Sequence, residues 1–238
     1  KVSVDIPTGM EASTGDIHGE AVQADLTLTF HKPKTGYKHN PEATKELIPT
    51  SIGIPPEAEY YVGPGDIFLT HHERGSDSHK GMSGSLLVVG GSETYSGAPA
   101  LASLAAYRLG LDLVYTAVPE SAAQAVASYS PSMITCKLKG ERLTPESLPN
   151  IEKLLGKVLA VAIGPGLGMA DDTVEAVGRL VGMVGRKGLP LVLDADGLKA
   201  YATNPVKLVS PTVFTPHGRE FKLLTGETAK GNNLQKGG

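Results

Sequence analysis

Five short segments of this chain carry residue types and spacings that can do chemistry. Asp5-Ile6-Pro7-Thr8-Gly9 sets a carboxylate at the end of an apolar run and a hydroxyl three residues later, fixed by proline and glycine. That pair can orient a ligand ribose, with the Thr8 oxygens holding a hard cation, or be a turn with a cap. Gly164-Pro165-Gly166-Leu167-Gly168 follows the apolar run 158–163 and precedes Val174, Val177, Val181 and Val184 at helical spacing. Glycines let backbone pass close to a ligand, and the free N–H groups of a following helix suit a phosphate or pyrophosphate; the same turn can also only pack a helix on a sheet. Gly90-Gly91-Ser92 runs through Tyr95-Ser96-Gly97-Ala98-Pro99 into small residues, which is ordinary helix-start chemistry and equally leaves room for a flat ring. Asp194 and Asp196 flank Ala195 and are the carboxylates expected near a strand end. Asp194 is the candidate for a water, magnesium or ligand hydroxyl, and Asp196 for the cap of a helix beginning at Leu198. In Thr215-Pro216-His217-Gly218, the histidine stands just before a helix and as a neutral donor can hold a substrate hydroxyl or amide, or be structural.

Strands and helices must bring these segments to one place. Strand patterns fall at 86–89, 113–117, 134–138, 158–163, 191–193 and 212–215, with helical patterns near 98–109, 121–129 and 171–184. Alternation of that kind predicts an α/β fold with a mostly parallel sheet covered on both faces and joined by right-handed crossovers. Ligands in such sheets sit beyond the carboxyl ends of the strands, where four of the five segments lie. The first part reads differently, with strand runs at 2–6 and 25–30 and then a Pro-, Lys- and Thr-rich stretch at 31–56. Tyr60 to Asp66 and the polar run His71 to Lys80 mark a domain boundary.

Composition sets limits. The chain has 238 residues, 40% hydrophobic and 20% charged, with a formal net charge of -3. That is an ordinary globular balance with no basic excess to support binding of nucleic acid or an anionic membrane. No apolar run is long enough to cross a bilayer, and the amino terminus lacks a signal pattern, so a cytoplasmic protein is expected. Cys136 is the single cysteine, which fits a reducing compartment, and reads as a small buried side chain before it reads as a nucleophile. His71-His72-Glu73 lacks the spacing of a zinc pair. Lys1 and Gly238 both look like breaks in a longer polypeptide.

In order and spacing, these segments resemble one family: the bifunctional NAD(P)H-hydrate repair enzymes, an epimerase domain followed by a dehydratase domain of ribokinase-like fold. The resemblance rests on Asp5 to Gly9, Ala24 to Phe30 with Lys34 and Gly36, and His79-Lys80-Gly81 with Gly84. It continues through Gly90-Gly91-Ser92, Tyr95 to Ala102, Gly164 to Gly168, Asp194 to Leu198 and Thr215 to Phe221. It implies the end of a Rossmann-like epimerase domain at residues 1–65, and at 70–238 the first and central parts of a doubly wound, mostly parallel dehydratase domain. The implied chemistry is epimerisation of R and S hydrates and removal of water from the S hydrate of NADH or NADPH with ADP or ATP. By position, Asp5 would contact the hydrate and Thr8 a potassium ion in the first domain, and Ala98, Gly166 and His217 the hydrate in the second. Asp194 joins that set, magnesium is a further candidate cofactor, and a homo-oligomer is expected. A ribokinase-like enzyme relies on a late Gly-x-Gly-Asp turn for its base, and no such sequence is expected in this chain, nor the nucleotide-facing lysine-glycine segment, nor the early Asn-Gly-Gly loop of the epimerase. The expectation is therefore half of each site and an inactive fragment. Alternatives are a small-molecule kinase of the same fold, such as a hydroxymethylpyrimidine or thiazole kinase, or a ligand-binding module without chemistry.

Overall fold

The computed structural model describes residues 1–59, 61–70, 77, 81 and 83–228. The histidine run 71–72 with Glu73, the pair His79-Lys80, Tyr60 and the last ten residues lie outside the described residues. The chain divides into two compact units, residues 1–72 and 73–238.

The first unit comprises β1 (Val2–Val4), β2 (Ala24–Phe30), α1 (Gly36–His39), β3 (Thr44–Thr50) and α2 (Pro64–Thr70). The three strands form a parallel sheet in the order β1-β2-β3, with Val4 beside Leu28 and Leu28 beside Ile48. Because side chains alternate, Thr27, Thr29 and Leu47 take the face opposite to Val4, Leu28 and Ile48. On the first of these faces the Thr27 hydroxyl donates to Thr44 Oγ1 at 2.9 Å, and Leu47 packs with Met10, Tyr37 and Ala43. The second face is apolar and open, with Val4 62% exposed. β3 was not expected in the Pro- and Lys-rich stretch. Its ladder with β2 imposes the extended backbone, and Pro49 is tolerated because β3 is an edge strand.

In the second unit come β4 (Ser85–Val89), α3 (Gly97–Arg108), β5 (Leu113–Pro119), α4 (Glu120–Ser128), β6 (Ile134–Leu138) and α5 (Leu148–Leu155). They are followed by β7 (Ala160–Ile163), α6 (Asp171–Arg186), β8 (Leu191–Leu193), α7 (Ala195–Thr203), β9 (Thr212–Phe214) and α8 (Gly218–Thr225). The six strands run in the order β6-β5-β4-β7-β8-β9, every neighbouring pair parallel. From β4 the chain first builds outward through β5 and β6, then returns to the other side of β4 with β7. Right-handed crossovers therefore place α3 and α4 on one face and α5, α6 and α7 on the other. The buried residues agree: Val88 and Val114 pack with Ala106 of α3, whereas Leu87, Val161 and Leu191 pack with Ile151 of α5 and Val177 and Leu180 of α6. Burying each such leucine or isoleucine stabilises the unit by about 1.5–3 kcal/mol. Cys136 sits half-buried in β6, and burial pushes its thiol up, as befits a packing residue. No described helix is long and apolar enough to cross a membrane.

Candidate functional site

The order of the strands sets the site. Reversal of winding direction at β4 and β7 makes a topological switch point, and the loops that leave these two strands part to opposite faces there. The two loops are nonetheless bonded: Gly91 N–H donates to Pro165 O at 2.8 Å, and Gly164 N–H to Val89 O at 3.0 Å. Loops after β8 and β9 continue along the same edge, so from β4 to β9 the edge spans three strand spacings, about 14 Å.

Each glycine of 164–168 has its own reason. A Cβ on Gly164 would lie 1.7 Å from Asp194 O, and one on Gly197 2.5 Å from Ile163 O, so these two glycines bring the β7 loop and the start of α7 into backbone contact. Gly166, at φ +72, would place a Cβ 2.8 Å from Tyr95 Cβ and 3.5 Å from Ala98 Cβ. The structure thus brings Gly166 and Ala98 together, with Tyr95 locked beside them by its N–H donating to Ser92 Oγ at 3.3 Å. Gly168, at φ +77, meets only open space. A cavity of about 210 Å³ lies here between Ser92–Tyr95, Glu141, Arg142 and Leu167–Ala170.

The expectation that the glycine loop offers free N–H groups to a pyrophosphate is narrowed at its last glycine. Gly168 N–H already donates to Asp196 Oδ2 at 2.9 Å. Asp172, in the first turn of α6, is held below the usual carboxylate range chiefly by Arg142, whose Nε donates to both its oxygens at 3.0 Å. Among the loop glycines, Gly166 keeps an N–H without a partner among the described residues.

The aspartate pair is also reassigned. α7 begins at Ala195, so Asp194 occupies the cap position and Asp196 lies within the first turn, not ahead of a helix at Leu198. Neither caps with its side chain. Asp194 Oδ1 accepts the Thr215 hydroxyl at 2.7 Å, while Asp196 accepts Gly168 N–H on one oxygen and Lys199 Nζ at 2.6 Å on the other. Between them Ala195 has φ +47, a conformation non-glycine residues rarely take. One short segment therefore ties down the loops on both sides, the glycine loop through Asp196 and the His217 loop through Asp194.

His217 caps α8. Its Nδ1 accepts the N–H groups of Arg219 at 3.1 Å and Glu220 at 3.4 Å, while Glu220 Oε2 accepts the His217 N–H at 3.1 Å, a reciprocal capping box. An accepting Nδ1 leaves the proton on Nε2, which lies 3.2 Å from Glu220 Oε1. The ring is 62% exposed and Glu220 only 6%. Glu220 is thus a further carboxylate at this edge, beyond the two expected from sequence.

In the first unit, Asp5 has φ +65 and its carbonyl accepts the Tyr37 hydroxyl at 3.0 Å. Its Oδ1 accepts Lys34 Nζ, Phe30 N–H at 3.0 Å and the Thr29 hydroxyl at 3.4 Å. Lys34 first, then the Phe30 N–H, holds this carboxyl below the usual range. Lys34 had been noted only as part of a pattern; the signal for its role is its place just beyond the strand neighbouring Asp5. Thr8 is exposed, and its carbonyl accepts Val22 N–H at 2.9 Å. No described group of three His, Cys, Asp or Glu residues could hold a metal. The letters Gly-x-Gly-Asp do occur at 63–66, but there they open α2 in the first unit, and Asp66 accepts the Gly63 N–H at 2.8 Å.

A larger cavity, about 620 Å³, lies at the amino end of β5 and β6 beside Tyr107, Leu111, Pro131 and Met133. It is at the opposite end of the sheet from the glycine loop, away from the end where parallel sheets bind ligands.

Comparison with known proteins bears on this edge. Residues 86–237 match the family described as NAD(P)H-hydrate dehydratase, and residues 1–36 the family described as YjeF-related protein N-terminus. The chain is 44% identical over 233 residues to a bifunctional NAD(P)H-hydrate repair enzyme of Hyperthermus butylicus, covering 97% of this chain and 43% of that protein. It is 45% identical over 229 residues to the enzyme of that name in Pyrobaculum aerophilum, covering 95% and 45%. It thus spans less than half the length of these relatives. An ADP/ATP-dependent NAD(P)H-hydrate dehydratase of Bacillus subtilis, crystallised with ATP and magnesium, superposes with a TM-score of 0.53 at 28% identity, over 68% of this chain and 54% of that one. A ribokinase-like protein of Enterococcus faecalis, 21% identical with a TM-score of 0.57 over 65% of this chain and 52% of that one, shares the fold. With a switch-point edge of this construction and a family match across the second unit, the chain belongs to the NAD(P)H-hydrate dehydratase family.

Proposed function

We propose that the second unit binds the S hydrate of NADH or NADPH along the β4-β7-β8-β9 edge, as the dehydratase part of a bifunctional repair enzyme, and that the first unit belongs to its epimerase. The observation that carries this reading is the meeting of Ala98 and Gly166 at the switch point of a domain matching the dehydratase family. Small residues there leave a surface open to a ring. The Nε2 proton of His217 faces Glu220 Oε1 at 3.2 Å, and the exposed ring would turn that proton from Glu220 to a substrate hydroxyl or amide. Asp194, with one oxygen on Thr215, keeps the second for a ligand hydroxyl or a magnesium-bound water.

The nucleotide, ADP or ATP, would supply the driving force for loss of water; the support is the ATP and magnesium named for the Bacillus subtilis relative. Asp5 would contact the hydrate in the epimerase, and Thr8 would lend its hydroxyl to potassium. A cytoplasmic setting, with which the single free Cys136 is consistent, and assembly as a homo-oligomer complete the reading.

The test uses the full-length protein with purified S hydrate and ADP or ATP, following recovery of absorbance at 340 nm. Ala98→Leu fills the open surface and should lower kcat/KM at least about tenfold, about 1.4 kcal/mol, with native circular dichroism. Gly166 is a poor site for this test because any side chain would meet Tyr95. No recovery by the wild type, together with phosphorylation of a small alcohol, would instead establish the kinase alternative.

A further inference from the structure

We propose that Asp196 is a positioning residue: it fixes the end of the glycine loop and so presents Gly166 to the ligand without touching the ligand itself. The loop has two anchors of different kinds. At its start, Gly164 is wedged against Asp194 O and its N–H donates to Val89 O, so main chain holds main chain. At its end, beyond the buried Leu167, Gly168 has φ +77 and open space at its Cβ position, so no side chain of its own holds it. Its N–H bond to Asp196 Oδ2, at 2.9 Å across 28 residues of sequence, does.

The carboxylate is well suited to that task. Its side chain is 15% exposed, and Lys199 holds its other oxygen. Burial of this kind strengthens a charge-assisted bond to an N–H group. The Lys199 ammonium is raised first by that bond and also feels Glu220 and Tyr95, so the clamp is set among groups from the β4 and β9 loops. Ala195 at φ +47 aims Asp194 and Asp196 toward opposite loops, an unfavourable conformation of the sort retained where geometry serves a site. Loss of the Asp196 acceptor frees the last loop residue, and a loop that must be ordered during binding binds more weakly.

The inference rests on the hydrate reading of the edge only for its effect on affinity; the effect on the loop is independent of any ligand. Asp196→Ala and Asp196→Asn in the 238-residue chain are compared by amide hydrogen exchange without ligand, then by titration with S NADPH hydrate. Asp196→Ala should speed Gly168 exchange at least about tenfold and weaken hydrate binding about fivefold. Asparagine keeps an oxygen acceptor in place and should restore Gly168 protection to within about twofold of wild type. Lys199→Met, which leaves the acceptor but removes its tether, should give a rise of about two- to fivefold and serves if Asp196→Ala does not fold. Unchanged Gly168 exchange in the alanine and methionine variants, or asparagine no better than alanine, overturns the proposal. Faster Gly168 exchange, together with no hydrate binding by the full-length wild type, supports the positioning role and refutes the hydrate reading.

Discussion

The two units hold their candidate residues by different physics. In the second, the strands are buried on both faces, and the glycine loop starts where main chain is admitted to main chain, Gly164 on Asp194, with the Asp196 carboxylate added only at its end. In the first, a three-stranded sheet has Met10, Tyr37 and Ala43 beneath one face and an open apolar surface on the other. There the candidate carboxylate, Asp5, is held by side chains: Lys34 and Thr29 on its oxygens and the Tyr37 hydroxyl on its carbonyl. Packing is insensitive to pH and salt, whereas an ion pair a third exposed is not. The start of the glycine loop in the second unit should therefore fail by steric change, and the Asp5 site of the first by change of charge.

The largest effect should come from Gly164→Ala. Its φ of +137 and the 1.7 Å approach to Asp194 O leave no room for a methyl group, so backbone must move. A loss of at least about 4 kcal/mol is expected for the second unit in denaturant titrations. A loss under about 1 kcal/mol would mean that the β7 loop and α7 are not held in contact.

Lys34→Met should break the first site electrically without a large change in volume. With Lys34 present, the Asp5 carboxyl lies below its ordinary value of 3.8 in the folded protein. A depressed folded value means stabilisation that is present above pH about 3.8 and lost as the pH falls through the folded value. In Lys34→Met the carbon-13 titration midpoint of the Asp5 carboxyl should move up toward 3.8, and unfolding in acid should begin at higher pH. An unmoved midpoint would remove Lys34 from the account.

The smallest effect should be that of Val4→Thr. With its side chain 62% exposed, this valine should change stability of the 238-residue chain by less than about 0.5 kcal/mol. A loss above about 1.5 kcal/mol would show that the open face is covered in solution.

The contrast also explains what the sequence discloses. Strands β4 to β9 are legible because apolar runs between turn signals are what a doubly covered sheet needs, and the carboxyl-edge placement of Ala98, Gly166, Asp194 and His217 follows from that reading. β3 is not legible, because Thr-Lys-Glu-Leu-Ile-Pro-Thr has neither alternation nor a continuous apolar run and is set by pairing with β2. α5 is hidden by the proline after Leu148, which is acceptable in a first helical turn. The start of α7 is missed because Asp196-Gly197 reads as punctuation, while Gly197 is there for close approach to Ile163 O. The roles of Asp196 and Lys34 depend on partners 28 and 29 residues away, beyond the reach of local pattern.

The central claim is that the carboxyl edge of β4, β7, β8 and β9 takes the hydrated nicotinamide nucleotide. The most direct measurement is a titration of the nitrogen-15-labelled full-length protein with S NADPH hydrate, reading amide shifts residue by residue. Saturable shifts at Ala98, Gly166, Gly168 and His217, abolished or weakened at least about tenfold by Ala98→Leu, are the result expected. Binding that leaves these four amides unmoved and instead shifts Tyr107 and Met133 at the other end of the sheet, or no binding at all, would contradict it.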